Sequence, residues 1–577
     1  MKKIYPILLV FIGLAVSGCL NQNDKTGFTP DKPSISFRQQ SVNVNKDANE
    51  ITIALESNLP WRVKSDAGWA KVKTDNGMES GDIVVSIARN RLREERVATL
   101  TAWITNDSRT TLSIIQAPAE ASESITYHVK ANGDGLASGA SWEEATTLPT
   151  AIDAAGDGDI ILLAAGTYAP VALIAGGESA EERTFEIHSN FTIEGGYPAD
   201  AKTGDVADPA NETILTGNLG TTQAYHVVVI SAVKSSTHKA VLKNLTIRDG
   251  KGHSKNKEIY RYSGDSEYDA GEGAGLYIGV SNAELINCRI IGNTSCMAGG
   301  CIVSYEGSAT FTNCSISDNS ATGNGAGLWN EGEVTMYDCC ISNNRADFAC
   351  AGYYGVGGIS RIYNSSFIGN DNYKGGKLGG GAYLREGHGR GSDAIFVNCT
   401  FAENKSGSGG AVALYGTSAV GACGKFISCT IKGNSADKGG GIWMNNATPT
   451  AEFYNTIISD NGTDIGYGGT VAAQESQVSK SSSIIGSTLL NAEGNAVSGW
   501  TFNASSMLGE LDFHNGGVTK SFPLIPDGAN PAINQGMSTS ELNALATRLG
   551  IDSGLATKDQ NGQTREKNSI GSYVANN

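Results

Sequence analysis

From Ser34 to about Pro118, apolar and polar residues alternate in short runs such as SISFRQQSVNVN, EITIALES, GDIVVSIARN, ATLTAWIT and TTLSIIQ. A period of two places every second side chain on one face of a strand, so this segment predicts a β-sandwich over 34–118. After a short linker, AEASESI (119–125), the pattern changes. The run from Tyr127 to Tyr168 reads strand, glycine-rich turn, helix, turn, strand, with Leu148, Ile152 and Ala155 at i, i+4 and i+7 on one helical face.

Farther on the chain repeats itself. Asn287, Asn313, Asp338, Asn364, Asn398, Ser428 and Asn455 recur at intervals of 26, 25, 26, 34, 30 and 27 residues. Six residues after each stands an asparagine: Asn293, Asn319, Asn344, Asn370, Asn404, Asn434 and Asn461. Such a period without helical pattern predicts a β-solenoid, whose coils stack at about 4.8 Å and share one core. The early helix is then a cap over the apolar surface and unpaired edges at the solenoid's end. Both asparagine columns are expected to turn corners, because asparagine tolerates the left-handed region, and to hydrogen-bond along the stack. Cys288, Cys314, Cys339, Cys399 and Cys429 form the next column, with Ser365 and Thr456 in its gaps. An isoleucine or phenylalanine follows two residues later in every coil, so the cysteines are expected to face inward as free thiols.

Two features exceed what a scaffold needs. Two residues after the glycine corner stand Tyr277, Trp329, Tyr354, Tyr383 and Trp443, with Ile302 and Val412 in the remaining coils. The preceding positions are Leu276, Cys301, Leu328, Tyr353, Ala382, Ala411 and Ile442. Alternation sends the two columns to opposite faces, and the smaller one suits the interior. The rings are therefore expected outside, where a strip of them could stack on sugar rings. The second feature is a polar cluster in the longest coils, with Lys374, Lys377, Arg385, Glu386, His388 and Arg390. Insertions on a rigid solenoid are where function is placed. Lys374, Arg385 and Arg390 could meet an acidic glycan, and Glu386 and His388 could supply acid–base chemistry, although no catalytic motif surrounds them.

Composition narrows the classes. A formal net charge of −16 over 577 residues argues against nucleic acid, which needs a concentrated basic surface. The seven histidines fall outside the repeat columns and no CxxC occurs, so no metal site is expected. At the N-terminus, Lys2 and Lys3 precede an apolar run too short to span a bilayer, ending in VSGC (16–19).

These stretches carry three resemblances. VSGC resembles the lipobox of bacterial lipoproteins, which implies cleavage before Cys19, lipidation of Cys19 and an outer-membrane location, the membrane being met only through that lipid. SNLPWRVKSDAGWAKV, SIARN and SIIQAPA resemble the BACON family of Bacteroidetes surface proteins, Ig-like and proposed to bind carbohydrate or mucin. One tryptophan in each half of a small sandwich, Trp61 and Trp69, ordinarily fills the core, which makes a spacer the simpler role. Pairs such as AGGCIV with FTNC resemble the right-handed parallel β-helix repeat of bacterial surface and polymorphic outer-membrane proteins, over about Tyr127 to Val574.

The expected architecture is all-β: signal peptide 1–18, tether 19–33, Ig-like sandwich 34–118, linker 119–125, and a right-handed parallel β-helix with a short N-terminal capping helix over 126–577. The expected function is capture of glycans or glycoprotein surfaces by a monomer without cofactor, rather than catalysis. The alternative is a β-helix polysaccharide lyase or glycoside hydrolase. The lyases of that fold place a basic residue near a carboxyl-neutralising cation, so Ca²⁺ enters only with that alternative.

Overall fold

In the computed structural model, the described residues are 32–573, apart from 48, 89, 91–94, 121–123, 254–259, 264–265, 373–376, 418, 470–474, 514–518 and 566–567. Cys19 lies outside them. The chain forms two compact units, each described by itself.

The first unit is an antiparallel sandwich. One sheet orders Ile35–Phe37, Asn49–Ser57, Gly81–Ile87 and Ala70–Val72; the other orders Ser41–Val44, Ser108–Gln116, Arg96–Thr105, Trp61–Ser65 and Asn76–Gly77. Alternate residues such as Ile53, Leu55, Ile83, Val85, Leu100, Ala102, Leu112 and Ile114 meet between the sheets. Trp61 is buried there, its Nε1 donating to the Glu79 carbonyl at 2.8 Å. Trp69 packs on the same core half-buried. Both tryptophans thus serve the packing of the sandwich.

The second unit is a parallel solenoid. Among the described residues it carries three long sheets of 12, 12 and 10 strands. The first runs from Thr126–Val129 to Val478–Ser481, the second from Gly166–Tyr168 to Thr488–Leu489, the third from Phe185–Ile187 to Ile465–Tyr467. From Thr192–Tyr197 to Ile465–Tyr467 each coil contributes one strand to each sheet, and like residues pair with like: Phe311↔Met336↔Ile362↔Phe396↔Phe426↔Phe453 in the first sheet. These columns fill the interior with the inward residues of the second sheet, such as Ile316, Ile341, Phe367, Phe401 and Ile431. Ring stacking follows the axis, Phe367 on Phe401 at 4.4 Å and Phe396 on Phe426 at 5.1 Å. Bulk is balanced within a coil: Ala382 stands in the third sheet where Phe367 fills the second.

The two asparagine columns do different work. The first, at Asn287, Asn313, Asp338, Asn364, Asn398, Ser428 and Asn455, adopts φ between 51 and 55° and turns the corner from the first sheet to the second. The second does not. At that corner the preceding residue, Gly292, Asp318, Asn343, Gly369, Glu403, Gly433 or Asp460, takes the positive φ. The asparagine itself points inward, buried, and forms a ladder. Asn293, Asn319, Asn344, Asn370, Asn404 and Asn434 each donate both their backbone N–H, at 3.0–3.1 Å, and their amide, at 2.8–3.1 Å, to the side-chain oxygen of the next. The other amide hydrogen reaches a carbonyl of the preceding coil, as from Asn344 to Ile316 at 2.9 Å. The N–H of Gly250 starts the ladder and the Asp464 carboxylate receives its last amide at 2.8 Å.

The ten described cysteines are free. In the cysteine column each thiol donates to the carbonyl two residues back, from 3.2 Å in Cys339 to 3.5 Å in Cys429. Ser365 and Thr456 make that bond at 2.7 and 2.9 Å. The column therefore selects a small side chain with one donor, and burial pushes the thiols of Cys288, Cys314 and Cys399 up.

Both ends are covered. The helix Leu148–Ala154, capped by Thr147, sets Leu148, Ala151 and Ile152 against the first coils. At the far end the chain turns back along the outside. Helix Thr539–Leu549, opened by a Ser538–Glu541 capping box and closed by Gly550 at φ 66°, buries Leu542, Leu545 and Ala546 on Tyr363, Val397, Ile427 and Tyr454 of the first sheet. Phe502, Leu508, Phe522 and Ile570 cover Ala402, Ile457 and Ile484 of the second.

The ladder predicts a large local cost for breaking it. Asn344→Ala removes the acceptor for two groups of Asn319 and two donated bonds, leaving several buried polar groups unpaired. A loss of about 2–5 kcal/mol is expected. It is read as a lower denaturation midpoint of the solenoid transition, and an unchanged midpoint would remove the ladder from the account of stability.

Candidate functional site

The aromatic column lies on the outer face of the third sheet, opposite the core residues Leu276, Cys301, Leu328, Tyr353, Ala382, Val412 and Ile442. The pairing corrects one register. Tyr383 is followed by Ala413 and not Val412, while Val412 takes the inward place expected of Ala411. The constant offset is four residues from the positive-φ corner: Gly273, Ala298, Gly325, Cys350, Gly379, Gly409 and Gly439.

The rings face away from the core, yet they are not an open strip. Tyr277, Trp329, Tyr354 and Tyr383 are at most 9% exposed and belong to a second apolar cluster with Ile302, Ala298, Cys350 and Val356. Each corner folds back over them. Trp329 packs beside Gly325, meets Tyr354 edge-on at 4.7 Å and donates from Nε1 to Glu331 at 3.1 Å. Tyr354 stacks on Tyr383 at 5.2 Å, and Tyr268 covers Tyr277. Sugar stacking on these four rings is excluded by burial. Trp443 is the exception: it is half-buried, with Ala413 before it and Gly466 after it in the column.

The charged cluster does converge, at the corner after the third sheet. Arg385 Nη2 pairs with Glu386 at 3.1 Å. His388 Nε2 lies 3.4 Å from Glu331 Oε2 and its ring stacks on Tyr305 at 4.4 Å, while Arg390 donates to the Glu331 carbonyl at 3.0 Å and sits over the Tyr305 ring. The groups are thus largely committed to one another. Glu386 Oε2 and Arg390 Nε are buried without a hydrogen-bond partner among the described residues. Glu331 and Tyr305 were not expected there; both become visible only when the coils are stacked. Lys374 lies outside the described residues, and Lys377 is exposed on a different corner, its Nζ 4.4 Å above the Phe348 ring.

A concave site occurs elsewhere, where the first coils are widened by long connections between the second and third sheets. It is a cleft of about 750 Å³. The short 3₁₀ turn Ala180–Glu182 and the stretch 218–225 form one wall; Asp249, Lys251, His253, Thr294, Cys296 and Thr322 form the other. Glu181's own backbone hydrogen bond, then Thr222 donating at 2.9 Å, holds that carboxyl below its ordinary range. Thr216 donates to Asp249 at 2.7 Å, and Gln223 to the Asp249 carbonyl at 3.1 Å. Tyr225 meets His253 edge-on at 5.3 Å. Burial, then Glu181 and Glu182, pushes the Tyr225 hydroxyl up. Nothing in the repeat marks these residues: Glu181, Asn218, Thr222, Tyr225 and Asp249 precede it, and Thr294, Cys296 and Thr322 belong to its first coils but stand outside its columns. Among the described residues no group of three or more His, Cys, Asp and Glu side chains is arranged to hold a metal ion.

Two family models match the chain. Residues 34–119 match the Viral BACON domain, and residues 230–419 and 274–458 match the right handed beta helix region. The chain carries a BACON domain and a right-handed β-helix region. Among solved structures, pectate lyase Pel9A is similar over 79% of this chain and 97% of its own, at 14% identity and a TM-score of 0.43. A Bacteroides ovatus GH5 xyloglucanase in complex with a XXXG heptasaccharide is similar over 36% of this chain and 46% of its own, at 12% identity and a TM-score of 0.15. Neither likeness bears on what this chain binds. No curated protein sequence matches it.

Behind the cleft, the β-helix region buries His226, which contacts the Gly273 carbonyl at 3.2 Å and the Tyr277 ring. Burial, against the opposing pull of Gly273, Glu272 and Glu182, lowers its pKa from 6.5 to about 4. The folded-state value lies below the unfolded one, so the contribution to stability is complete above about 6.5 and is lost as pH falls towards 4. His226→Phe should flatten the fall of the β-helix unfolding free energy over that window by an amount on the order of 3 kcal/mol, read from denaturation curves at each pH. An identical pH profile in variant and wild type would refute this role.

Proposed function

We propose that the β-helix region is a glycan-binding element and that the cleft receives the ligand. The observation that carries this reading is the cleft's lining. Its volume of about 750 Å³ falls in the range of ligand sites. Asn218, Thr222, Gln223, Thr294 and Thr322 line it with amides and hydroxyls, which both donate and accept as sugar hydroxyls require. Tyr225 and His253 add flat ring surfaces beside them. Much of one wall belongs to paired solenoid backbone, so those groups are held in place before a ligand arrives.

In the same reading Cys19 carries the lipid that anchors the protein in the outer membrane, and the BACON domain is the spacer between anchor and β-helix. Hydrolysis or elimination on a bound glycan is the second reading, favoured by the presence of two carboxylates, Glu181 and Asp249, in one cleft. Against it, the hydrogen bonds that keep Glu181 ionised make it a poor proton donor at neutral pH.

The test is retention of the purified protein on an array of neutral and charged glycans, with a depolymerisation assay on every glycan retained. Wild type should be retained without product, and Tyr225→Ala should weaken retention at least about tenfold, or about 1.4 kcal/mol. Release of reducing or unsaturated ends would replace binding by catalysis. Retention unaffected by Tyr225→Ala would move the ligand out of the cleft.

A further inference from the structure

We infer that the β-helix carries a second, open site: a track for an anionic polysaccharide along the corner between the second and third sheets. One register column runs down this corner, Thr294↔Ser320↔Arg345↔Asp371↔Lys405↔Ser435, with one residue from each successive coil. Three residues beyond Ser435 comes Lys438, paired with Ser408, which is itself paired with Leu378 beside Lys377. Stacking therefore sets Arg345, Lys377, Lys405 and Lys438 on one edge, all four exposed. Among the described residues, the ion pairs of these coils engage other groups, Arg361, Arg385, His388, Lys425 and Lys432. The charges on the track are available to a ligand.

Two rings share the edge. Phe348 is 48% exposed with Lys377 over its face, and Trp443 is half-buried with Lys438 Nζ 5.9 Å from its ring centre. Gly466 and Gly468 of the next coil lie against Trp443, where an added Cβ would come within 3.0 Å of the ring. An indole lying across glycine backbone, with an ammonium beside it, suits a sugar ring that bears an anion: the apolar face of the sugar meets the aromatic ring and its carboxylate or sulfate meets the lysine.

Charge spacing separates this ligand from other polyanions. Asp347, Asp371 and Asp437 lie between the cations, so the edge is not a continuous basic patch. Duplex nucleic acid, with one charge per about 1.7 Å, would meet those carboxylates as often as the lysines. A glycan with one anion per sugar or fewer can place its charges at the cations and its neutral segments at the aspartates. The protein's net charge of −16 also disfavours a dense polyanion at long range. The column begins at Thr294 on the rim of the cleft, but the cations that define the track lie in later coils and none of them lines the cleft.

Affinity electrophoresis of the full chain through gels holding polygalacturonate, κ-carrageenan (one sulfate per disaccharide) or uncharged dextran tests the inference, with single-stranded DNA as a fourth probe. At least one anionic polysaccharide should retard the protein and dextran should not. Raising salt from about 50 to about 300 mM should weaken the retardation. The combined Lys377→Gln, Lys405→Gln and Lys438→Gln variant should lose at least about tenfold in affinity. Trp443→Ala should lose severalfold, and Lys239→Gln, which removes a lysine that faces Glu284 on the first sheet, should lose nothing. Whichever polysaccharide retards the protein identifies carboxylate or sulfate as the anion. Equal retardation by dextran, retardation by DNA alone, no retardation at all, or a triple variant that migrates as wild type would each overturn it.

Discussion

Stacked coils can keep polar groups inside only if each coil satisfies its neighbour, and the buried asparagine ladder is how this β-helix does so. Each rung from Asn319 to Asn434 accepts two hydrogen bonds at one side-chain oxygen and passes two on. Because the N–H and the amide of one asparagine must both find the same oxygen, the ladder tolerates neither a slip along the strand nor a change in coil spacing. That constraint carries the phenylalanine columns into register and lets coils of 25 and 34 residues coexist: extra residues leave the stack as loops while the rung stays in place.

The ladder also marks what a one-dimensional reading can and cannot deliver. The six-residue spacing of the asparagines, the cysteine column and the alternation of the first unit all report contacts between residues at fixed offsets, and these were legible. The two asparagine columns nevertheless look alike in sequence. Only the structure separates Asn313, which turns a corner at positive φ, from Asn319, whose preceding Asp318 turns it instead. The helix Thr539–Leu549 went unread although Ser538 and Glu541 carry a capping-box signal, because its apolar face is short and its partners, Tyr363, Val397 and Tyr454, are distant in sequence.

Burial of the aromatic column was beyond such reading for a related reason. Alternation assigns a side chain to a face of a sheet; it does not say what lies over that face. Here the glycine-rich corner that ends one strand returns across the ring of the next, so a column outside the solenoid becomes a second core. Trp443 stands apart because its column neighbours are Ala413 and Gly466, which supply no bulk to enclose it. The same logic hid the cleft, one wall of which is built by coils that precede the repeat.

Regularity and function are therefore complementary in this fold. Where each coil matches the next, the ladder asparagines are satisfied by their neighbours and the outward groups form repeating edges of charges and rings. Where coils are widened, as around Glu181, Tyr225 and Asp249, side chains from non-equivalent positions converge and enclose space. A ligand with a repeat of its own suits the first kind of surface, and a ligand segment of defined shape suits the second. A long polysaccharide has both a repeat and a chain segment of defined shape, so one glycan class can use a periodic edge and an irregular cleft on the same rigid stack without either compromising the ladder that holds the coils together.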